Sequence, residues 1–337
     1  MSLIPYLHRA VGREDLDAAA AEDAMEVILS GHASTPQIAA FLVALRMKGE
    51  TADELIGFAR AMRAHASKVP ADLAGGPLLD TCGTGGDARG TFNISTIAAF
   101  VVAGAGVRVA KHGNRSISSR CGSADVLERL GVRVAVEADQ AARAIREVGI
   151  GFLFAPAFHP ATKHAHAARL ELKMRTIFNL LGPLTNPAGA TAQLAGAPSE
   201  EAARLIADAL AALGLERGFV VHGSDGLDEI TITGPTLAYE IEKGQVTRRT
   251  LTPEDFGVAP APLEELQGGD PDENGEIARA ILAGARGPKR DVVLVNAAAA
   301  LVVAGRVASF VEGMAVAAES IDTEAARRKL EQLAAFS

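Results

Sequence analysis

Apolar positions along the chain follow two periodicities in succession. Up to about residue 70 they recur at helical spacing, with Ile38, Phe41, Leu42 and Leu45 forming one stripe and Leu55, Phe58, Ala59 and Met62 another. Thr51 and Glu54 form a capping box ahead of the second stripe, and Thr35-Pro36 opens the first. This predicts a small all-helical unit whose stripes pack on one another or on a partner subunit. Gly75-Gly76-Pro77 breaks the pattern. Beyond it, short apolar runs at 77–82, 106–110, 132–136, 151–154, 194–197 and 218–221 alternate with helical stretches such as Ser123 to Gly131 and Ser199 to Gly214. Such alternation predicts an α/β domain with a mostly parallel central sheet and surrounding helices. Ile230 to Thr233 reads as a further strand, and Asp291 to Leu301 as a last strand running into an alanine-rich helix. Lys163 to Arg175 is helical in composition, and Gly182 to Pro187 is loop. The expected organisation is therefore a helical domain over 1–73, completed by roughly 163–187, and an α/β domain over 74–162 and 188–337.

A length of 337 residues suits two such domains, and 48% hydrophobic content fills a core. The net charge of -8 disfavours a sequence-blind nucleic-acid binder, which gains affinity by neutralising phosphates. An anionic ligand must find a local positive site instead. Neither a leader-like start nor a span-length apolar window occurs, so the expectation is a soluble cytoplasmic protein. The two cysteines, Cys82 and Cys121, lack metal or disulfide spacing and read as small packing residues.

Candidate chemistry gathers after the first strand of the sheet, where Asp80 to Asp87 carries Gly83, Gly85 and Gly86, and Asn93, Ser95 and Thr96 lead into a helix. Glycines let the backbone approach an anion, and a helix N-terminus adds partial positive charge. The spacing is not that of a nucleotide P-loop, and a tight turn with ordinary N-capping is the competing reading. The next strand ends in Lys111-His112-Gly113-Asn114-Arg115, which brings two cations to the same sheet edge. Ligands of open α/β sheets collect at the carboxyl ends of strands, so two anion-friendly loops there point to phosphate or pyrophosphate. His112 alone reads as a supporting hydrogen-bonding residue.

The segments GTGGDARGTFNIST, KHGNRSISSRCGSADVLERLG, RTIFNLLGPLTNPA and DGLDEITITGPT resemble, in that order, the anthranilate phosphoribosyltransferases of tryptophan biosynthesis. The resemblance implies transfer of phosphoribose from phosphoribosyl pyrophosphate to the amino group of anthranilate, with Mg²⁺, two ions per site. It also implies a homodimer formed through the helical domain. By the same matching, Gly83, Gly86, Asp87, Thr91, Asn93, Ile94, Ser95, Thr96 and Ser123 would hold phosphoribosyl pyrophosphate. The run Lys111, His112, Gly113, Asn114, Arg115, Ser116, Ile117, Ser118 and Ser119 would join them. Anthranilate would meet Gly83, Asn114, Arg169 and Gly182, and the metal Ser95, Asp228 and Glu229. Lys111, Asn114 and Arg169 would carry the catalytic roles. Displacing pyrophosphate from an anomeric carbon builds positive charge on the sugar and negative charge on the leaving group, so cations suffice and no triad is required.

The chain departs from the family pattern at Ala88, Thr162, His166-Ala167-Ala168 and Lys173, the last standing at a usual glycine. Two other readings are a pyrimidine nucleoside phosphorylase and a non-enzymatic relative that binds nucleic acid. The KHGNR run with RTIFNLLGPLTNPA disfavours the first, and the acidic balance disfavours the second.

Overall fold

The computed structural model describes residues 2–71, 76–85, 89–116 and 120–336. Four N-terminal helices, α1 (Ile4–Val11), α2 (Ala18–Leu29), α3 (Thr35–Lys48) and α4 (Ala52–His65), form the helical unit. Both expected stripes are buried, and Phe41 meets Phe58 edge-on at 6.2 Å between ring centres. Helix α3 starts at the expected Thr35, and Ser34 ahead of it supplies a capping box with Gln37. Thr51 and Glu54 make the second box, and the buried Glu54 also accepts Leu16 N–H at 3.0 Å.

The central sheet comprises β1 (Leu78–Gly83), β2 (Arg108–Gly113), β3 (Ile150–Phe154), β4 (Ala192–Gly196), β5 (Arg217–Gly223), β6 (Thr236–Glu242) and β7 (Gln245–Leu251). Its order is β3-β2-β1-β4-β5-β6-β7; the first five strands run parallel, and β6 and β7 add antiparallel. The chain leaves β1 toward one edge and returns at β4 toward the other, which puts a crevice between the ends of those two strands. The remaining helices are α5 (Ile94–Gly104), α6 (Ser123–Arg129), α7 (Ala138–Glu147), α8 (Ala155–Phe158), α9 (Lys163–Leu172), α10 (Phe178–Leu181), α11 (Glu200–Ala212), α12 (Pro271–Leu282), α13 (Pro288–Val303), α14 (Phe310–Asp322) and α15 (Ala325–Ala335). Helices α5, α13, α14 and α15 share one core with strand residues Leu79, Val109 and Leu194. Helix α11 shares a second core with the N-terminal helices and Val220. Ala165, Ala168, Ile177 and Leu181 of the excursion between β3 and β4 are buried in that second core. No helix among the described residues is long and apolar enough to cross a membrane.

Three expected strands are not strands. Residues 132–136 connect α6 to α7 as irregular chain; Val132 and Val134 are buried in the main core, so the alternation records burial without a ladder partner. Ile230 to Thr233 is loop, its threonine hydroxyls spent on Asp225 at 2.6 and 2.8 Å. Asp291 to Leu301 lies within α13, where Val292 to Leu301 is buried throughout. A helix enclosed on every side has no polar stripe and reads like a buried strand. The β6–β7 hairpin was not expected; it turns through Lys243 and Gly244, both at positive φ (49° and 79°), the backbone of a tight primed turn.

Candidate active site

Strand β1 delivers Gly83 to the crevice, and the chain returns to start α5 at Ile94. Asn93 does not cap that helix with its side chain. Its amide instead donates to Cys121 O at 3.2 Å and accepts from Asn274 Nδ2 at 3.1 Å, which ties the first loop to the second and to α12. Ser95 N–H, in the first turn of α5, donates to Glu229 Oε1 at 3.1 Å. Thr96 Oγ1 is buried with no hydrogen-bond partner among the described residues.

Strand β2 delivers Lys111, His112 and Gly113 beside it. The Lys111 ammonium is buried, donating to Thr81 O at 2.5 Å and lying 3.4 Å from Ser95 Oγ. Burial lowers its pKa, opposed by Asp80, Cys82, Glu229 and Asp228. His112 N–H donates to Asp80 Oδ1 at 3.0 Å, and its Nδ1 lies 3.1 Å from Gly182 O. A carbonyl can only accept, so Nδ1 carries the proton and Nε2 is left a bare acceptor. Burial and His159 push the His112 pKa down to about 3, which keeps the ring neutral. Asp80, buried and raised to about 6, holds this strand end together with Asn186, whose amide donates to it at 2.8 Å.

The second loop is braced from within. Asp125 accepts from Ser116 N–H at 3.1 Å and Gly122 N–H at 2.9 Å, and Asn114 and Ser123 exchange bonds at 3.2 Å. The Arg115 guanidinium is engaged by Glu128 at 2.7 Å and Asp125 at 2.9 Å, so its charge is spent on α6. Cys121 lines the same loop, and burial raises its thiol to about 11, which suits a packing residue and not a nucleophile.

The loop after β5 supplies the acidic side. Asp228 Oδ2 accepts Gly85 N–H at 2.9 Å, and Glu229 reaches Ser95 as above. Burial first and Asp228 second push Glu229 well above the carboxylate range. The fourth side is the excursion between β3 and β4, where Arg169 on α9 lies 4.9 Å over the Phe178 ring. Burial lowers the Arg169 pKa. Among the described residues no carboxylate lies within ion-pair distance of Arg169.

These sides enclose one cleft of about 310 Å³, at the small end of the roughly 300–1,000 Å³ usual for ligand sites. It brings together Gly83, Thr91, Asn93, Ile94, Ser95, Thr96, Lys111, His112, Gly113, Asn114, Arg115, Ser116, Ser123, Arg169, Gly182, Asp228 and Glu229. Gly86, Asp87, Ile117, Ser118 and Ser119 lie outside the described residues, as does Ala88. Reasoning from sequence missed Arg120, Arg175, Phe178 and Asn179, which also line the cleft. The RTIFN run contains three of them, and its arginine and amide beside an aromatic were the available signal. The supporting Asp80, Asn186 and Asn274 left none, since each acts through a partner distant in sequence.

The model of the glycosyl transferase family a/b domain matches residues 75–327, and that of the family's helical bundle domain matches residues 4–66. The anthranilate phosphoribosyltransferase of Solibacter usitatus is 67% identical over 337 residues, covering 100% of this chain and 99% of its own. Among solved structures, the anthranilate phosphoribosyltransferase of Thermus thermophilus superposes with a TM-score of 0.92 at 45% identity, covering 98% of both chains. The enzyme from Saccharomyces cerevisiae, solved in complex with PRPP and Mg, superposes at 0.90 with 30% identity, covering 98% of this chain and 96% of its own.

Proposed function

The chain belongs to the anthranilate phosphoribosyltransferase family, and from that premise we propose that its cleft joins the phosphoribosyl group of phosphoribosyl pyrophosphate to the amino group of anthranilate. The bond from the anomeric carbon to pyrophosphate breaks, a carbon–nitrogen bond forms, and the amine loses a proton. The observation that supports this reading best is the meeting, in one cleft, of a glycine loop, a buried lysine, a carboxylate pair and a half-buried arginine without a carboxylate partner among the described residues.

Each side takes a part of the chemistry. The glycine loop and the positive N-terminal end of α5 face the diphosphate, with Thr96 Oγ1 a spare hydroxyl beside them. Lys111, held by Thr81 and Ser95, sets a fixed positive charge where negative charge grows on the leaving group. Arg169 faces the anthranilate carboxylate, and Asn114 and the Gly83 and Gly182 backbones shape the ring's slot. Aligning an already nucleophilic amine with the anomeric carbon is most of the remaining work.

Asp228, Glu229 and Ser95 fit Mg²⁺: two carboxylates and a hydroxyl are hard oxygen donors, and Mg²⁺ takes few of these and completes its shell with water and phosphate oxygens. The raised Glu229 pKa reflects two acids crowded in a buried site, a crowding that a cation relieves. When bound, the metal neutralises charge on the departing pyrophosphate. Two ions per site is the finer reading, with Ser95, Asp228 and Glu229 the residues that would hold them.

A homodimer through the helical domain is proposed from its apolar face, where Val11 is 66% and Met47 71% exposed around a groove lined by α1, α3 and Leu172. Residues 163–187 are assigned to the helical domain because Ala165, Ala168, Ile177, Phe178, Leu181 and Leu184 bury in one core with α2, α3 and α4. Cytoplasmic residence follows from the proposed biosynthetic role. Mixing the protein with anthranilate, phosphoribosyl pyrophosphate and Mg²⁺ should extinguish anthranilate fluorescence. Unchanged fluorescence alongside nucleoside phosphorolysis would overturn the assignment.

A further inference from the structure

Asn296 lies fully buried in the middle of α13, among apolar neighbours. Its side-chain amide makes three hydrogen bonds. Oδ1 accepts Ile230 N–H at 3.0 Å, and Nδ2 donates to Ile230 O at 2.8 Å and to Val292 O, one turn back on its own helix, at 2.9 Å. The amide therefore pairs with both backbone groups of one loop residue, as a neighbouring strand would, where no strand runs. Ile230 is the residue directly after Glu229.

The rest of that loop has its own brace. Asp225 accepts Leu227 N–H at 3.1 Å and the hydroxyls of Thr231 and Thr233, which closes the loop at its base. Among the described residues, the Asn296 pairing is what holds both backbone groups of Ile230, directly next to Glu229. A polar amide inside an apolar helix costs desolvation unless its groups are paired, and α13 itself uses only the bond to Val292. Helix stability at this position would be served by an alanine like those at 297–300. The two bonds to Ile230 are what an apolar residue cannot supply.

We propose that Asn296 is a positioning residue for the metal, fixing the Ile230 backbone so that Glu229 stays aimed at Ser95 and beside Asp228. It touches neither metal nor substrate. The inference rests on the reading of Asp228 and Glu229 as the metal carboxylates. Partners that orient metal ligands from behind typically change metal affinity by about 10- to 100-fold when removed.

The test uses the full chain and Mn²⁺ as the probe, with free ion counted by electron paramagnetic resonance. Asn296→Ala should weaken Mn²⁺ about 10- to 100-fold and raise the Mg²⁺ needed for half-maximal rate alike, with the anthranilate KM within about twofold of the parent. Asn296→Ser retains a hydroxyl able to bond back to Val292 O but too short to reach Ile230, so it should fold and show the same loss. Leu301→Ala, on the same helix, destabilises by a cavity and should leave Mn²⁺ binding at the parent value. Asp228→Asn separates the two claims. Parent-like Mn²⁺ affinity in that variant sinks the metal reading and this inference with it; parent-like affinity in the Asn296 variants, with Asp228→Asn impaired, sinks the inference alone. In the parent protein the Ile230 amide should exchange its hydrogen slowly, and exchange as fast as an open loop would also overturn it.

Discussion

Gly83 and Gly196 face one another in register across β1 and β4, and Asp228 occupies the space above both. A Cβ on Gly196 would overlap the Asp228 carbonyl, which is backbone and cannot swing aside; one on Gly83 would meet Asp228 Oδ2 at 2.6 Å, the far end of a side chain that also accepts Gly85 N–H. Gly196→Ala should therefore cost about 1–3 kcal/mol of stability and raise the Mg²⁺ requirement. Gly83→Ala should disturb the metal with little loss of stability. Denaturant melts alongside Mg²⁺ titrations check the pair, and a Gly196→Ala protein as stable as the parent would contradict the packing.

Arg169 and Phe178 line the side of the cleft proposed for the acceptor. Arg169→Ala should raise the anthranilate KM by about 10-fold or more, the worth of a charge-assisted hydrogen bond, with little change for phosphoribosyl pyrophosphate. Arg169→Lys should rescue little, because an ammonium lacks the planar fork. Phe178→Leu removes a cation–π contact of about 0.5–1 kcal/mol and should raise that KM about threefold. Equal effects on both substrates would count against the acceptor pocket.

Lys173 ends α9 in a left-handed conformation, φ 47° and ψ 34°, its N–H donating to Arg169 O at 3.3 Å. That backbone costs a side chain about 1 kcal/mol and suits glycine. Lys173→Gly should raise the unfolding free energy from urea melts by up to about 1 kcal/mol, seen as a higher midpoint. A downward shift would mean that the lysine side chain contributes more than its strain costs.

Acid should loosen the fold through two buried histidines. Unfolded, each takes a proton near pH 6.5; folded, His112 holds off until about 3 and His159 until about 4, because burial disfavours the charged ring. Their contribution is complete above pH 6.5 and is lost as pH falls toward those values. Asp80 acts oppositely: raised from 3.8 to about 6, it adds stability at low pH that fades as pH rises through 6. Each histidine contributes a slope of about 1.4 kcal/mol per pH unit between roughly 4.5 and 6, which Asp80 and the raised Glu229 oppose. His159→Phe should lower the measured slope by about 1.4 kcal/mol per pH unit relative to the parent in urea titrations at pH 6, 5 and 4.5.

The five parallel strands were legible because each is a short apolar run closed by glycine or a helix cap, and the four helices before them because their stripes and capping boxes agree. Helix α13 was not, since Val292 to Leu301 is buried on all sides and carries no period. Strand β7 was hidden for the opposite reason: Gln245, Arg248 and Arg249 leave it mostly exposed. Of the site, residues with a charge, hydroxyl or glycine at a strand end could be read in place. Asn296, Asn274 and Asp80 could not, because what each does depends on a partner that only folding brings near.

The excursion between β3 and β4 has a consequence for how such an enzyme can change. Donor-side groups come from loops rooted in the sheet, while Arg169, Phe178 and Gly182 come from a segment whose apolar side chains are anchored among the N-terminal helices. Thr162, His166-Ala167-Ala168 and Lys173, all departures from the family pattern, fall in or beside that segment. On the proposed reading the nucleophile's berth carries most of the departures named above, with Ala88 alone on the side that activates the sugar.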